Sequence, residues 1–162
     1  MESEKKMSTE VIKHIVCAVR GHPESRTTVT RAVDLALQHQ ARLTFLHVID
    51  AEFLEHATVA PLSVVYKELV EMARFAMLIL CDRAQRRGVG EVDYLVLEGD
   101  IRKQLHQYAI DTQADLMIMG TPVPGTGKNI FKQEELQRLI SEMEQWGDVR
   151  IIQVSASNST QN

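Results

Sequence analysis

Apolar positions fall into short runs separated by longer stretches in which they recur every three or four residues. Val11 to Val19 (VIKHIVCAV) is the first run, β-branched and compact, and predicts a buried strand. It ends in the turn cluster Arg20-Gly21-His22-Pro23. Ser25 is placed to cap a helix in which Val29, Val33, Ala36 and Leu37 form the apolar face. Arg42 to Ile49 is the second strand, and Asp50 to Pro61 a longer connection. A helix follows from Ser63 to Arg87, with Val65, Leu69, Met72, Ala76 and Leu80 as its inner stripe and Gly88 and Gly90 as its stop. Val92 to Leu97 predicts the third strand. Asp100 caps a helix over Ile101 to Thr112 that turns Ile101, Leu105 and Tyr108 inward. Ala114 to Met119 is the fourth strand, and Gly120 to Asn129 a loop rich in Gly and Pro. The last helix spans Gln133 to Gln145, with Leu136, Leu139, Ile140 and Met143 inward, and Val149 to Val154 is the fifth strand.

This alternation predicts a doubly wound α/β domain: a parallel sheet covered on both faces by right-handed crossovers. No repeat is visible at a period of ~20–50 residues. The chain of 162 residues reads as one domain over 1–162 with its core at about 12–154 and polar tails at Met1–Thr9 and Ser155–Asn162. The polar N-terminus lacks the apolar stretch of a signal peptide, and no uncharged run approaches the ~20 residues of a bilayer span. The expectation is a cytoplasmic protein without membrane insertion.

Charge narrows the function classes. With 18 basic and 22 acidic residues the net charge is −4, which argues against nucleic-acid binding through charge alone. A small phosphate ligand needs only a local anion site and stays open. Cys17 and Cys81 both sit in apolar runs and read as buried hydrophobes; no spacing of Cys and His suggests a metal.

Topology nominates a place for chemistry. In an open parallel sheet, ligands bind beyond the carboxyl ends of the strands, where strand order reverses. For order 3-2-1-4-5 that point lies between strands 1 and 4, at Arg20–Ser25 and Gly120–Asn129. Gly120, Gly125 and Gly127 allow backbone N–H groups to approach a ligand, and Arg20 and Lys128 supply positive charge, as in a phosphate nest. A plain surface turn accounts for the same glycines and prolines equally well. Gly125-Thr126-Gly127-Lys128 is not a P-loop: Pro122 stands where its first Gly belongs, and Asn129 follows the Lys. His22 is the histidine at this crevice. His14 and His47 lie in strands, where packing or a local partner accounts for them, and Met72, Met77, Met117, Met119 and Met143 read as core. Asp111 and Asp115 flank a strand start, at the end of the sheet away from a site. No pairing of nucleophile and base and no pair of catalytic carboxylates appears, so no enzyme activity is expected.

From Ile12 to Val154 the chain resembles the universal stress protein family. The resemblance is carried by His14-Ile15-Val16-Cys17-Ala18-Val19, by Arg31 to Val48, by Leu97-Glu98-Gly99-Asp100, and most clearly by Gln113 to Thr121 (QADLMIMGT), similar to the family's ADLIVMGT signature. It implies a Rossmann-like, five-stranded parallel sheet of order 3-2-1-4-5, and a homodimer formed through the last strand, Val149 to Val154. It also implies an ATP site with adenine near Ala18, Arg20 and Val48 and phosphates on the loop that opens with Gly120 and Thr121. The sequence departs from the family at both places. Arg20 replaces the acid of the family's VDG motif. In the signature G-x2-G-x9-G-[ST] opened by Gly120, the second Gly is Val123 and the final Gly-Ser pair is Gln133-Glu134. The expectation is therefore a dimeric stress-response or regulatory module with a degenerate ATP site. The alternative is a nucleotide-binding protein in which Gly125, Gly127 and Lys128 form a variant loop.

Overall fold

The structure, a computed structural model, describes residues 11–20, 25–50, 62–121, 133–146 and 149–155. Its elements run β1 (His14–Ala18), α1 (Ser25–His39), β2 (Arg42–Ile49), α2 (Leu62–Arg86), β3 (Val92–Glu98), α3 (Ile101–Thr112), β4 (Leu116–Gly120), α4 (Gln133–Trp146) and β5 (Arg150–Val154). The strands form one five-stranded sheet in the order β3-β2-β1-β4-β5, every pairing parallel. Parallel neighbours need crossovers, so helices cover both faces and the central strands are buried on both sides.

Side-chain alternation divides the core into two layers. Ile15, Cys17, Leu43, Phe45 and Ile118 point to the α1 and α2 side, where they meet Ala32, Ala36, Met77, Cys81 and Ala84. Val16, Leu46, Met117 and Met119 point to the other side, against Leu105 and Ala109 of α3 and Leu136, Leu139, Ile140 and Met143 of α4. Both cysteines are buried free thiols. Burial pushes Cys17 up to about 12 and Cys81 to about 11, Asp93 adding to the latter, so neither is a ready nucleophile at neutral pH.

The helix ends are built by local chemistry. The Asp100 side chain accepts from the Lys103 N–H at 2.9 Å and starts α3. At the end of α2, Gly88 takes φ 104°, which lets its own N–H reach the Gln85 carbonyl and the Val89 N–H reach that of Ala84. The end of α1 repeats this geometry with Gln40 at φ 52°, an αL residue that carries a Cβ and gives no composition signal.

One expectation fails. The inner stripe of α2 is not Val65, Leu69, Met72, Ala76 and Leu80 as a set. Met77, Cys81 and Ala84 are its buried residues, whereas Ala76 is exposed and Met72 is 68% exposed. The stretch from Ala73 to Cys81 (ARFAMLILC) is apolar almost all round, so periodicity alone cannot choose its inward face. The chosen face follows from packing against β3 and β2.

Candidate functional site

The strand order reverses between β1 and β4, which lie side by side with Ala18 opposite Met119. The carboxyl ends of these two strands form the crevice that topology nominates. Ala18 is the last residue of β1, and Val48 lies near the end of the neighbouring β2. Both are half-buried and pack on the α3 and α4 layer, so the structure brings them to one face of the sheet. Arg20 follows two residues after Ala18 and is half-buried.

Two contacts fix the chain as it leaves β1. The Val19 N–H donates to the Leu46 carbonyl at 2.8 Å. His47 Nδ1 lies 2.7 Å from the Val19 carbonyl oxygen. A carbonyl can only accept, so Nδ1 is the donor of this bond. His47 is thus partner-satisfied, and it positions the backbone that leads to Arg20.

Gly120 and Thr121 close β4. A Cβ on Gly120 would stand 2.9 Å from Oγ1 of Thr28, a buried residue of α1. The close approach of α1 therefore favours glycine here, whatever else its N–H does, because any side chain would force Thr28 to shift. Thr121 is drawn toward β5: its N–H donates to the Val154 carbonyl at 3.0 Å and its hydroxyl to the same oxygen at 3.1 Å. Its lone pairs, not its proton, remain for a ligand. Sequence reading did not single out Thr28; its signal is a polar residue at 3% exposure on the inner face of a helix.

Gly125, Gly127 and Lys128 lie outside the described residues, as do Gly21, His22 and Val123. On the far side of that segment, α4 opens with Glu134 and Glu135 in its first turn. Carboxylates there complement the helix dipole. They also occupy, electrostatically, the end that would otherwise attract an anion.

The amino end of the sheet is a different environment. Asp115 accepts from the backbone N–H groups of Lys13 and His14 at 2.8 and 2.9 Å, clasping β1 to β4. His14 Nε2 lies 2.9 Å from Oγ1 of buried Thr44. Burial first, and then the neighbouring Arg42 charge, hold the His14 imidazole below its ordinary range. Arg42 in turn reaches Asp93 at 2.7 Å and Glu91 at 3.4 Å. These groups tie strand starts together, as expected for residues at the end away from the crevice. Among the described residues there is no group of three or more His, Cys, Asp or Glu able to hold a metal ion, and no helix long and apolar enough to cross a membrane.

Residues 12–141 match the Universal stress protein family. Among solved structures, the chain is similar to the universal stress protein UspA from Lactobacillus plantarum, with a TM-score of 0.72, 19% identity, and coverage of 90% of this chain and 99% of that one. A universal stress protein solved in complex with cAMP gives a TM-score of 0.60 at 18% identity, covering 91% and 100% of the two chains. The universal stress protein from Archaeoglobus fulgidus in complex with dAMP gives 0.58 at 11% identity, covering 89% and 98%. At these identities the structural likeness concerns the fold. Comparison with curated proteins finds no match.

Proposed function

This chain belongs to the universal stress protein family, and from that premise we propose that it is a non-catalytic regulatory or stress-response module with a degenerate ATP site. The observation that carries this reading is the pair Glu134 and Glu135 in the first turn of α4. In the family pattern that turn follows a Gly-Ser pair and faces the phosphates; here the pair is Gln133-Glu134. Two carboxylates at a helix N-terminus oppose an arriving triphosphate, and Val123 and Gln133 stand where the signature has its second and third glycines. Arg20 adds to the departure, because a cation in place of an acid cannot accept hydrogen bonds from ribose or adenine. Ala18 and Val48 still offer an apolar surface that suits a flat base. Isothermal titration of the full chain with ATP and Mg²⁺ is expected to give no saturable heat at micromolar concentrations. A clean micromolar site would overturn the reading.

A second reading is favoured by the neighbours solved with cAMP and dAMP. In it, the chain binds a nucleotide through Arg20 and a variant loop at Gly125, Gly127 and Lys128. It predicts nucleotide in mass spectra of the denatured, freshly purified protein, and a nucleotide affinity that falls in Lys128→Ala.

A further inference from the structure

A cluster of exposed apolar side chains lies away from the crevice, on the outer face of α2. Val64, Met72, Phe75, Leu78 and Ile79 are 53%, 68%, 66%, 51% and 38% exposed. They lie on the side of the helix opposite Met77, Cys81 and Ala84, which face the core. Residues on a helix advance 100° each, so Phe75 sits on the midline of this stripe. Glu68, Met72, Ile79 and Arg83 lie along one flank of that line, and Lys67, Glu71, Leu78 and Asp82 along the other. An open depression of about 740 Å³ borders its first half, lined in part by Lys67, Glu68 and Met72.

We propose that this face of α2 is a self-association surface, on which a second copy of the chain docks its own α2 antiparallel, with the two-fold axis at Phe75. The argument is the complementarity of the helix to itself. A two-fold axis across an antiparallel pair sets each flank against the same flank of the other copy, in reversed order. Around Phe75 on Phe75, Met72 then meets Ile79 of the other copy, and Glu68 meets Arg83. On the second flank Leu78 meets the stem of Glu71, and Lys67 meets Asp82. Apolar residues fall at the centre and opposite charges at both ends, the arrangement of a core with a polar rim. Glu68, Lys67 and Arg83 take part in none of the ion pairs formed among the described residues, whereas Glu71 and Asp82 already hold Arg74 and Arg86 within the helix. A parallel pairing would instead set Glu68 against Lys67 and Arg83 against Asp82 of the other copy, so an exchange of Glu68 and Arg83, which restores opposite charges only in the antiparallel pair, tells the two arrangements apart. One helix stripe is small against the ~800 Å² per partner of a standard interface, so the association is reversible and depends on concentration.

Sedimentation or light-scattering mass of the full chain, followed over about two decades of concentration, tests the proposal. Wild type is expected to gain mass with concentration. Phe75→Glu, which alters a side chain outside the core, should keep the same circular dichroism and thermal melt while raising the dissociation constant about tenfold or more. Glu68→Arg and Arg83→Glu should each weaken the association, and the two together should restore it, because the swapped pair is again opposite in sign. Phe75→Cys should give an interchain disulfide under mild oxidation, against a low background from the buried Cys17 and Cys81. Mass curves for Phe75→Glu that superimpose on wild type, failure of the double swap to recover the association, or no crosslink at position 75 would each overturn the proposal, the first pointing instead to a different protein as the occupant of this face.

Discussion

Two residues at the carboxyl end of the sheet illustrate how one side chain sets the crevice. Gly120 tempts a purely functional explanation because it opens the family's glycine signature. Its first duty is steric, since Thr28 Oγ1 stands 2.9 Å from where a Cβ would be. Gly120→Ala is therefore expected to destabilise the fold by about 1–3 kcal/mol through overpacking. In urea denaturation, Gly120→Ala combined with Thr28→Ala should lose less than the sum of the two single changes, because the clashing oxygen is gone. Simple additivity would show that the contact does not matter. His47 acts similarly from β2, holding the Val19 carbonyl at 2.7 Å and so the path toward Arg20. Neither contact is visible in sequence, since both join residues far apart along the chain.

At the scale of elements, the local signals were the reliable ones. The Asp100 cap and the span Ile101–Thr112 of α3 are as the sequence reads, because an N-cap is decided within four residues. Asp100→Ala should cost about 1 kcal/mol of stability and loosen hydrogen-exchange protection in the first turn of α3, whereas Asp100→Ser should keep most of both. Equal protection in Asp100→Ala and wild type would remove the role of the cap. The Arg42–Ile49 strand and the inward set of α4, Leu136, Leu139, Ile140 and Met143, were equally legible, since strong alternation or a narrow stripe leaves one choice. In α2 the stripe was not legible, because a helix apolar on two sides can bury either. Packing against the sheet chose Met77, Cys81 and Ala84 and left Phe75 and Met72 outside.

At the scale of the whole molecule, the sheet has two edges. β5 is one of them, and its residues are all only partly buried. Arg150 donates to Asp115 and Val154 accepts from Thr121, so these residues, with Ile152 between, turn their backbone groups toward β4. Ile151 and Gln153 turn theirs to the open edge. An apolar edge strand of this kind invites pairing, and we propose that a second copy covers it in a homodimer. Gln153→Pro removes one outward N–H without touching the ladder to β4. Analytical ultracentrifugation at low concentration, where the α2 contact is dissociated, should find that it lowers the mass of the wild-type dimer to that of the monomer. A wild-type monomer at high concentration would refute the pairing. Because β5 and α2 lie at opposite sides of the sheet, with β3 beside α2, the variants Gln153→Pro and Phe75→Glu report on separate interfaces.

The sequence by itself determined the order of elements, the parallel sheet and the strands whose ends form the crevice, because these follow from periodicity and from turn and cap residues acting over a few positions. It also carried the resemblance that the family match bears out. Only the tertiary structure decided which face of α2 is buried, that a side chain at Gly120 would crowd Thr28, and that Thr121 is drawn to β5. Each of these is a choice made by contact between elements distant in sequence, and no local pattern encodes which neighbour arrives. The departures at Arg20, Val123, Gln133 and Glu134 were legible from the start; the fold adds that Glu134 and Glu135 stand in the first turn of α4, where a phosphate would otherwise be drawn.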